Sequence, residues 1–219
     1  AEPAAVSDRN RLYPGHMPRI RAETIAEHKE LTRREILQAA QELIEEFGSA
    51  DISFGEIASA VGIGRTTLYE YFSDRDDVIA SLVEEELPGV VERLLAGIPG
   101  ELGPREKLAE IAERTVKFVA TDRVLGVILH REVGRLSQEA QERIRDAHAD
   151  LVRGVAAVYT AGVSEGSLRA MPPDLAGRFI QDTMMSAARA VIAASDPDAR
   201  LPEILAAMRQ FLLHGLASS

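Results

Sequence analysis

The sequence predicts an all-α chain of about nine helices, with a small N-terminal three-helix unit containing a helix-turn-helix and a larger helical unit behind it. Three observations predict it. Apolar residues recur at three- and four-residue steps from Thr32 onward. Beyond Gly103-Pro104 there is none of the apolar–polar alternation that a strand requires. Finally, 219 residues at 46% apolar and 27% charged suffice to bury a sizeable core, and they exclude collagen-like or low-complexity chains.

Taken in order, residues 1–30 lack a sustained apolar period and carry Pro3, Pro14, Gly15 and Pro18. They read as an irregular arm with a helix starting late in it, or, over residues 1–16, as an added segment ahead of a natural start at Met17. Helical spacing begins at Thr32 and places Ile36, Leu37, Ala40, Leu43, Ile44 and Phe47 on one stripe, with Gly48 as its stop. Ser53 and Glu56 form a capping box, and Ile52 can staple onto Ile57. That short helix stops at Gly62, which enters the left-handed region at little cost. A third helix follows Gly64. Ser73-Asp74-Arg75-Asp76 caps a fourth, striped by Val78, Ile79, Leu82, Val83 and Leu87 and ending near Pro88-Gly89. Further helical periods fill Arg105–Ala120, Asp122–Arg135, Ser137–Ala161, Pro173–Ala194 and Pro202–Leu216. No internal repeat is visible.

The chain has no cysteine, so disulfides, thiolate metal sites and cysteine nucleophiles are excluded. Its longest apolar runs, such as Val124–Leu129, are too short to span a bilayer, and no signal peptide opens it. A soluble cytoplasmic protein is expected. The formal charge is -10, and only Lys29, Lys107 and Lys117 of the 25 basic residues are lysine. Residues 1–77 hold 9 basic and 15 acidic side chains, so even the N-terminal unit lacks the usual basic footprint of nucleic-acid binding. If the chain binds DNA, its basic contacts must be few and well placed.

Ser53–Phe72 is the strongest constellation. A capped helix, a tight turn and a second short helix make a helix-turn-helix, which lays its second helix in the major groove. Gly64 permits close approach there. Arg65, Thr66 and Thr67 offer hydrogen bonds to bases and phosphates, and Tyr69 offers a hydroxyl to a phosphate. An ordinary helical hairpin has the same pattern.

Other motifs have plainer readings. Leu68, Tyr71 and Phe72 belong to the core of a three-helix unit. Arg19-Ile20-Arg21 reads as a solvated tail, with a minor-groove arm as the rival. Gly162-Val163-Ser164-Glu165-Gly166 matches a nucleophile elbow formally, but a helix precedes it and no sheet supports it, so Gly162 reads as a helix C-cap. Gly62-Ile63-Gly64 lacks the third glycine and the strand of a dinucleotide fingerprint. His16, His28, His130, His148 and His214 show no metal-ligand spacing, so neither a metal nor another cofactor is expected. Glu84-Glu85-Glu86 reads as a solvated face.

The run from Thr32-Arg33-Arg34-Glu35-Ile36 through Gly48, Ser53-Phe54-Gly55-Glu56-Ile57-Ala58 and Val61-Gly62-Ile63-Gly64-Arg65-Thr66-Thr67-Leu68-Tyr69-Glu70-Tyr71-Phe72 resembles the DNA-binding domain of TetR-family transcriptional regulators. The match is continuous from about Thr32 to Val83, while the remainder resembles the family in architecture only. The resemblance implies a DNA-binding domain over 31–83 and a ligand-binding and dimerisation domain over 84–219. It places Gly64, Arg65, Thr66, Thr67 and Tyr69 on the recognition helix. Arg75 stands where the family often has a lysine, and Ser53, Thr32 and Arg33 lie within reach of phosphates. Gly64 stands where serine or threonine is common, and Thr66 where many members carry glycine.

The implied function is that of a homodimeric regulator, a repressor released from a palindromic double-stranded operator by a small ligand. The family's four-helix dimer interface maps onto Phe179, Met184, Ala188 and Ile192 with Ile204, Leu205, Met208, Leu212 and Leu213. Burial within one chain would also explain that stripe. Phe118, Val119, Leu125, Ile128, Leu129, Met184 and Met185 are candidate pocket lining. Their aliphatic character favours a fatty-acyl or similarly apolar ligand over a flat cation, at about 0.8 kcal/mol per buried methylene. Two rivals stand beside this reading. An all-α enzyme or binding protein would need a convergent polar cluster, and an architectural DNA-binding protein would cover DNA uniformly. No catalytic group and no membrane partner is expected.

Overall fold

The computed structural model describes residues 25–217. The expectations for the arm at 1–24, including Met17 and Arg19-Ile20-Arg21, lie outside the described residues. Among those described the chain is helical, with one isolated antiparallel bridge between Leu168 and Ala217. The helices are α1 (Ile25–Phe47), α2 (Phe54–Val61), α3 (Arg65–Leu68), α4 (Arg75–Ala96), α5 (Pro104–Thr121), α6 (Leu125–Val127), α7 (Gln138–Ala147), α8 (Ala149–Ser164), α9 (Pro173–Ile192) and α10 (Pro197–Gly215). A π-turn (Ile128–Glu132) and a 3-10 turn (Val133–Arg135) continue α6.

Several boundaries differ from the sequence expectation. Helix α1 starts at Ile25, which fits a helix starting late within residues 1–30; the exposed polar turns over 25–30 give no apolar period from which to place that start. Helix α4 runs through Pro88 to Ala96, because Val90 and Val91 continue the buried face of Leu87 past the proline. The predicted helix over Asp122–Arg135 is broken. The Asp122 carboxylate accepts from the amides of Val124 and Leu125 at 3.0 and 2.7 Å, restarting the chain as α6. The helix predicted over Ser137–Ala161 divides at His148, whose ring sits 2.7 Å from the Ile144 carbonyl.

Helix α10 begins at Pro197, not Pro202. Asp196 caps it by accepting from the Ala199 amide at 3.1 Å, so the Asp-Pro pair is a start signal. Gly162 is not a C-cap either. Helix α8 passes through it, and Gly166, at φ +79°, turns the chain beyond. A Cβ on Gly162 would stand 2.5 Å from Leu168 Cδ1, so the residue serves close packing.

Apolar packing forms two clusters. The first joins α1–α4 to Val124, Leu125, Ile128, Leu136 and, on α7, Ala140 and Ile144. The second lies among α5, α8, α9 and α10, around Leu108, Ala112, Tyr159, Ile180 and Met208. Phe118 packs against both. The packing therefore does not divide at residue 83: α7 lies against α4, while α6 rests on α5 and lends Leu125 to the first cluster.

Candidate nucleic-acid interface

Local chemistry builds the helix-turn-helix as its sequence foretells. The Ser53 hydroxyl accepts from the Glu56 amide at 3.1 Å, and the Ser53 amide donates to the Glu56 carboxylate at 2.7 Å. Donation from the Ser53 amide, and then from its side chain, holds the Glu56 carboxyl below the ordinary carboxylate range. Gly62 closes α2 at φ +76°, a conformation that favours glycine, and its amide returns to Ser59 at 3.2 Å.

Helix α3 is only 4 residues long, too short to hold itself. Leu68 and Phe72 anchor it, both buried in the first cluster, and Tyr71 packs half-buried beside them. That leaves Gly64, Arg65 and Thr66 exposed at the head of α3, with Thr67 half-buried. Tyr69 is 56% exposed, and its ring rests on Phe54 at 4.8 Å between centroids. Glu70, which sequence reasoning passed over, is exposed directly after it.

Three further residues expected at the phosphates are engaged inside the chain. Thr32 is buried in α1. Arg33 pairs with Glu85 of α4 and lies over the Phe72 ring at 5.3 Å. The Arg75 guanidinium is turned onto the Ala50 carbonyl, its Nε donating at 3.0 Å and its Nη2 to the same oxygen, with Asp76 3.4 Å from Nη1. Residue type and spacing alone do not separate a cation that faces DNA from one that ties two helices together. Glu84-Glu85-Glu86 is likewise not simply solvated, since Glu84 is gripped by Arg143 and Glu85 by Arg33.

The candidate effector residues fall on both sides of the seam between the clusters. Leu125, Ile128 and Leu129 lie in the first cluster, Val119, Met184 and Met185 in the second, and Phe118 between them. An open cleft of about 330 Å³ lies at that seam, between the end of α1, the α5–α6 corner and Ile192. Val119 is the candidate that reaches it, and Ile192 lines it from α9 although its stripe suggested a dimer contact. Among the other expected interface residues, Ala188, Met208 and Leu212 are buried within the second cluster, and Ile204 and Leu205 pack half-buried against it. Leu213 is half-buried, and its carbonyl accepts from Arg105. Phe179 is 51% exposed, and Phe211, which the stripe reading missed, is 65% exposed.

No helix among the described residues is long and apolar enough to cross a membrane, and no group of three His, Asp or Glu there is placed to hold a metal. A capped helix, a glycine turn and a short second helix with an exposed polar head define a helix-turn-helix DNA-binding protein. Residues 36–82 match the family described as bacterial regulatory proteins, tetR family, and residues 101–189 match the tetracyclin repressor-like C-terminal domain.

Among relatives, the fatty acid metabolism regulator protein of Bacillus subtilis is 25% identical over 135 residues, covering 62% of this chain and 70% of that one. The transcriptional repressor KstR2 of Mycobacterium tuberculosis is 26% identical over 153 residues, covering 69% and 76%. Among solved structures, Bacillus subtilis FadR in complex with stearoyl-CoA superposes with a TM-score of 0.67 at 23% identity, over 84% of this chain and 98% of that one. A TetR-family regulator of Pectobacterium atrosepticum superposes with a TM-score of 0.67 at 24% identity, over 90% and 98%. The chain belongs to the TetR family and is a DNA-binding transcriptional regulator.

Proposed function

We propose that this chain is a cytoplasmic, non-enzymatic repressor that binds a palindromic operator as a homodimer and leaves it when a small apolar acyl ligand binds. The observation that carries the DNA part is the exposed polar head of α3, Gly64 to Thr66, set on a buried Leu68 and followed by an exposed Tyr69. In this reading Ser53, Gly64, Arg65, Thr66, Thr67 and Tyr69 form the DNA face of the 31–83 domain. Thr32, Arg33 and Arg75 brace that face from within. Within 84–219, α5, α8, α9 and α10 hold the effector and the dimer contacts, with Phe179 and Phe211 at their exposed surface.

The acyl preference has two supports. The core among α5, α8, α9 and α10 is built of aliphatic and thioether side chains, which favour long apolar chains, while the open cleft at the seam is lined largely by charged and polar groups such as Glu45, Asp122 and Arg123. The relatives include a fatty acid metabolism regulator and a FadR structure that holds stearoyl-CoA. A ligand releases DNA only by binding more tightly to a dimer whose recognition helices no longer match the operator.

The test begins with selection of a duplex from a random pool by the purified protein. Tyr69→Phe should weaken every bound sequence alike, whereas Thr67→Ala should change base preference by about 1–3 kcal/mol at the contacted position. Palmitate and palmitoyl-CoA should raise the melting temperature and release the duplex, and a planar cationic dye should do neither. Release by the dye alone overturns the acyl reading, and unaltered affinity of both variants overturns the assigned DNA face.

A further inference from the structure

Helix α7 lies in the part of the sequence matched by the C-terminal family domain, yet its strongest polar contacts are with the beginning of α4. Arg143 makes them. Its Nε donates to Glu84 Oε1 at 2.9 Å and its Nη2 to Glu84 Oε2 at 2.5 Å; Nη1 donates to Asp77 Oδ1 at 2.7 Å and Nη2 to Ser81 Oγ at 2.8 Å. Asp77, Ser81 and Glu84 follow each other at four- and three-residue steps, so one guanidinium clasps a single face of α4 over two turns.

A second tie lies one turn away. The Ser137 amide, at the N-cap of α7, donates to Asp76 Oδ2 at 2.7 Å. Both ties lead toward the recognition helix. Asp77 also accepts from the Ser73 amide at 2.8 Å, in the turn that leaves α3, and Asp76 stands beside Arg75, which holds the Ala50 carbonyl ahead of α2. Apolar packing agrees with the polar ties, since Leu136, Ala140 and Ile144 share the cluster that contains Leu68, Phe72, Val78 and Leu82.

We propose that α7 belongs to the DNA-reading body of this regulator, and that Arg143 is a positioning residue that fixes the pose of the recognition helix through α4. The body that moves against α5, α8, α9 and α10 then includes α7, and the boundary of motion does not fall at residue 83. This extends the operator-binding reading above and rests on it.

The test compares Arg143→Ala with Arg209→Ala. Arg209 of α10 makes a matching partly buried pair, 3.1 Å from Glu113 of α5, but wholly within the other body. On the duplex selected by the wild-type protein, Arg143→Ala should weaken binding roughly fivefold to thirtyfold, Arg143→Lys should recover part of that, and Arg209→Ala should stay within about twofold. A contact that serves stability alone would leave the affinity of the folded fraction unchanged. Should Arg143→Ala fail to fold, Glu84→Gln, which leaves Asp77 and Ser81 to hold the guanidinium, should give an intermediate loss.

Hydrogen exchange on the free protein supplies an arm that needs no operator. Amides of residues 75–84 and 138–147 should open together in the wild type, and both should exchange faster in Arg143→Ala while α9 does not change. Equal operator loss in the two arginine variants, wild-type affinity in Arg143→Ala, or independent opening of α4 and α7 overturns the proposal. If the wild type selects no duplex, the operator reading falls separately, and the exchange result still decides whether α7 is part of the N-terminal body.

Discussion

At the scale of single residues, two glycines in helices do opposite things. A Cβ on Gly126 would lie 2.5 Å from the Val119 carbonyl oxygen and 3.3 Å from its carbon, both backbone atoms that cannot rotate away. Helix α6 approaches α5 that closely only because the side chain is absent. Gly126→Ala should therefore destabilise by about 1–3 kcal/mol, the usual cost of overpacking. Gly177, inside α9 with nothing within 4 Å of a built Cβ, should stabilise by roughly 0.5–1 kcal/mol when changed to Ala. Urea unfolding of the two variants checks the contrast in sign.

Titration gives a second residue-scale expectation. Burial first, then the charges of Arg189 and Arg131, hold the His130 imidazole below its ordinary value of 6.5. The folded state prefers it neutral, so its contribution to stability is present above pH 6.5 and is lost as pH falls through the lower folded value. Burial would push Asp77 up, but hydrogen bonds from Ser73 and Arg143 outweigh it and leave the carboxyl below 3.8, so its contribution disappears only as pH falls through that still lower value. The urea midpoint should thus decline between pH 7 and 5, and His130→Gln should flatten that decline. An unchanged slope in the variant would remove His130 as its cause.

At the scale of elements, the most legible parts were those whose determinants are local. The Ser53–Glu56 box, the Gly62 stop and the Asp74 cap each act within four residues, and each stands where the sequence placed it. Elements set by distant partners were harder to read. Pro88 looks like an end unless one knows that Val90 and Val91 are buried, and the Asp122–Arg135 segment looks helical until its cap and π-turn are seen. The same difference separates the site residues. Exposure of Tyr69 could be read from the family pattern, whereas the intrachain partners of Arg75 and Arg33, at Ala50 and Glu85, could not be read from residue type and spacing. Helix α3 is the limiting case, since its 4 residues persist only through packing. Leu68, wholly buried, is its main anchor. Leu68→Ala should cost about 2–5 kcal/mol and should abolish selected-duplex binding even where the remaining helices stay folded. Retained binding with an intact circular-dichroism spectrum would show that α3 holds its pose without that anchor.

At the scale of the whole molecule, dimerisation depends on which phase of the α9 and α10 stripes faces outward. The sequence pattern shows the stripe but not its phase, because Phe211 and Leu212 are adjacent and one of them must turn away. Leu212 is 4% exposed and sits inside the chain, so a charge there would unfold the C-terminal helices and say little about assembly. Phe211 at 65%, Phe179 at 51% and Leu175 at 38% exposure are the large apolar side chains left uncovered on these two helices. Around them the exposed positions are small or uncharged in part, as at Ala206, Ala207, Gln210 and Ser186, which allows another pair of helices to approach. Phe211→Glu combined with Phe179→Glu should leave the monomer helical and shift sedimentation from dimer to monomer. Operator binding should then fall steeply, since a monomer can occupy only one half-site of a palindrome and loses the gain from two linked contacts. The acidic N-terminal unit sharpens this dependence: with few cations to neutralise phosphates, one half-site gains little electrostatic affinity, so the slope of log K against log salt should be shallow for the dimer and binding by the monomer should be weak at any salt. A dimer that survives both glutamates would place the interface on another face of the C-terminal helices.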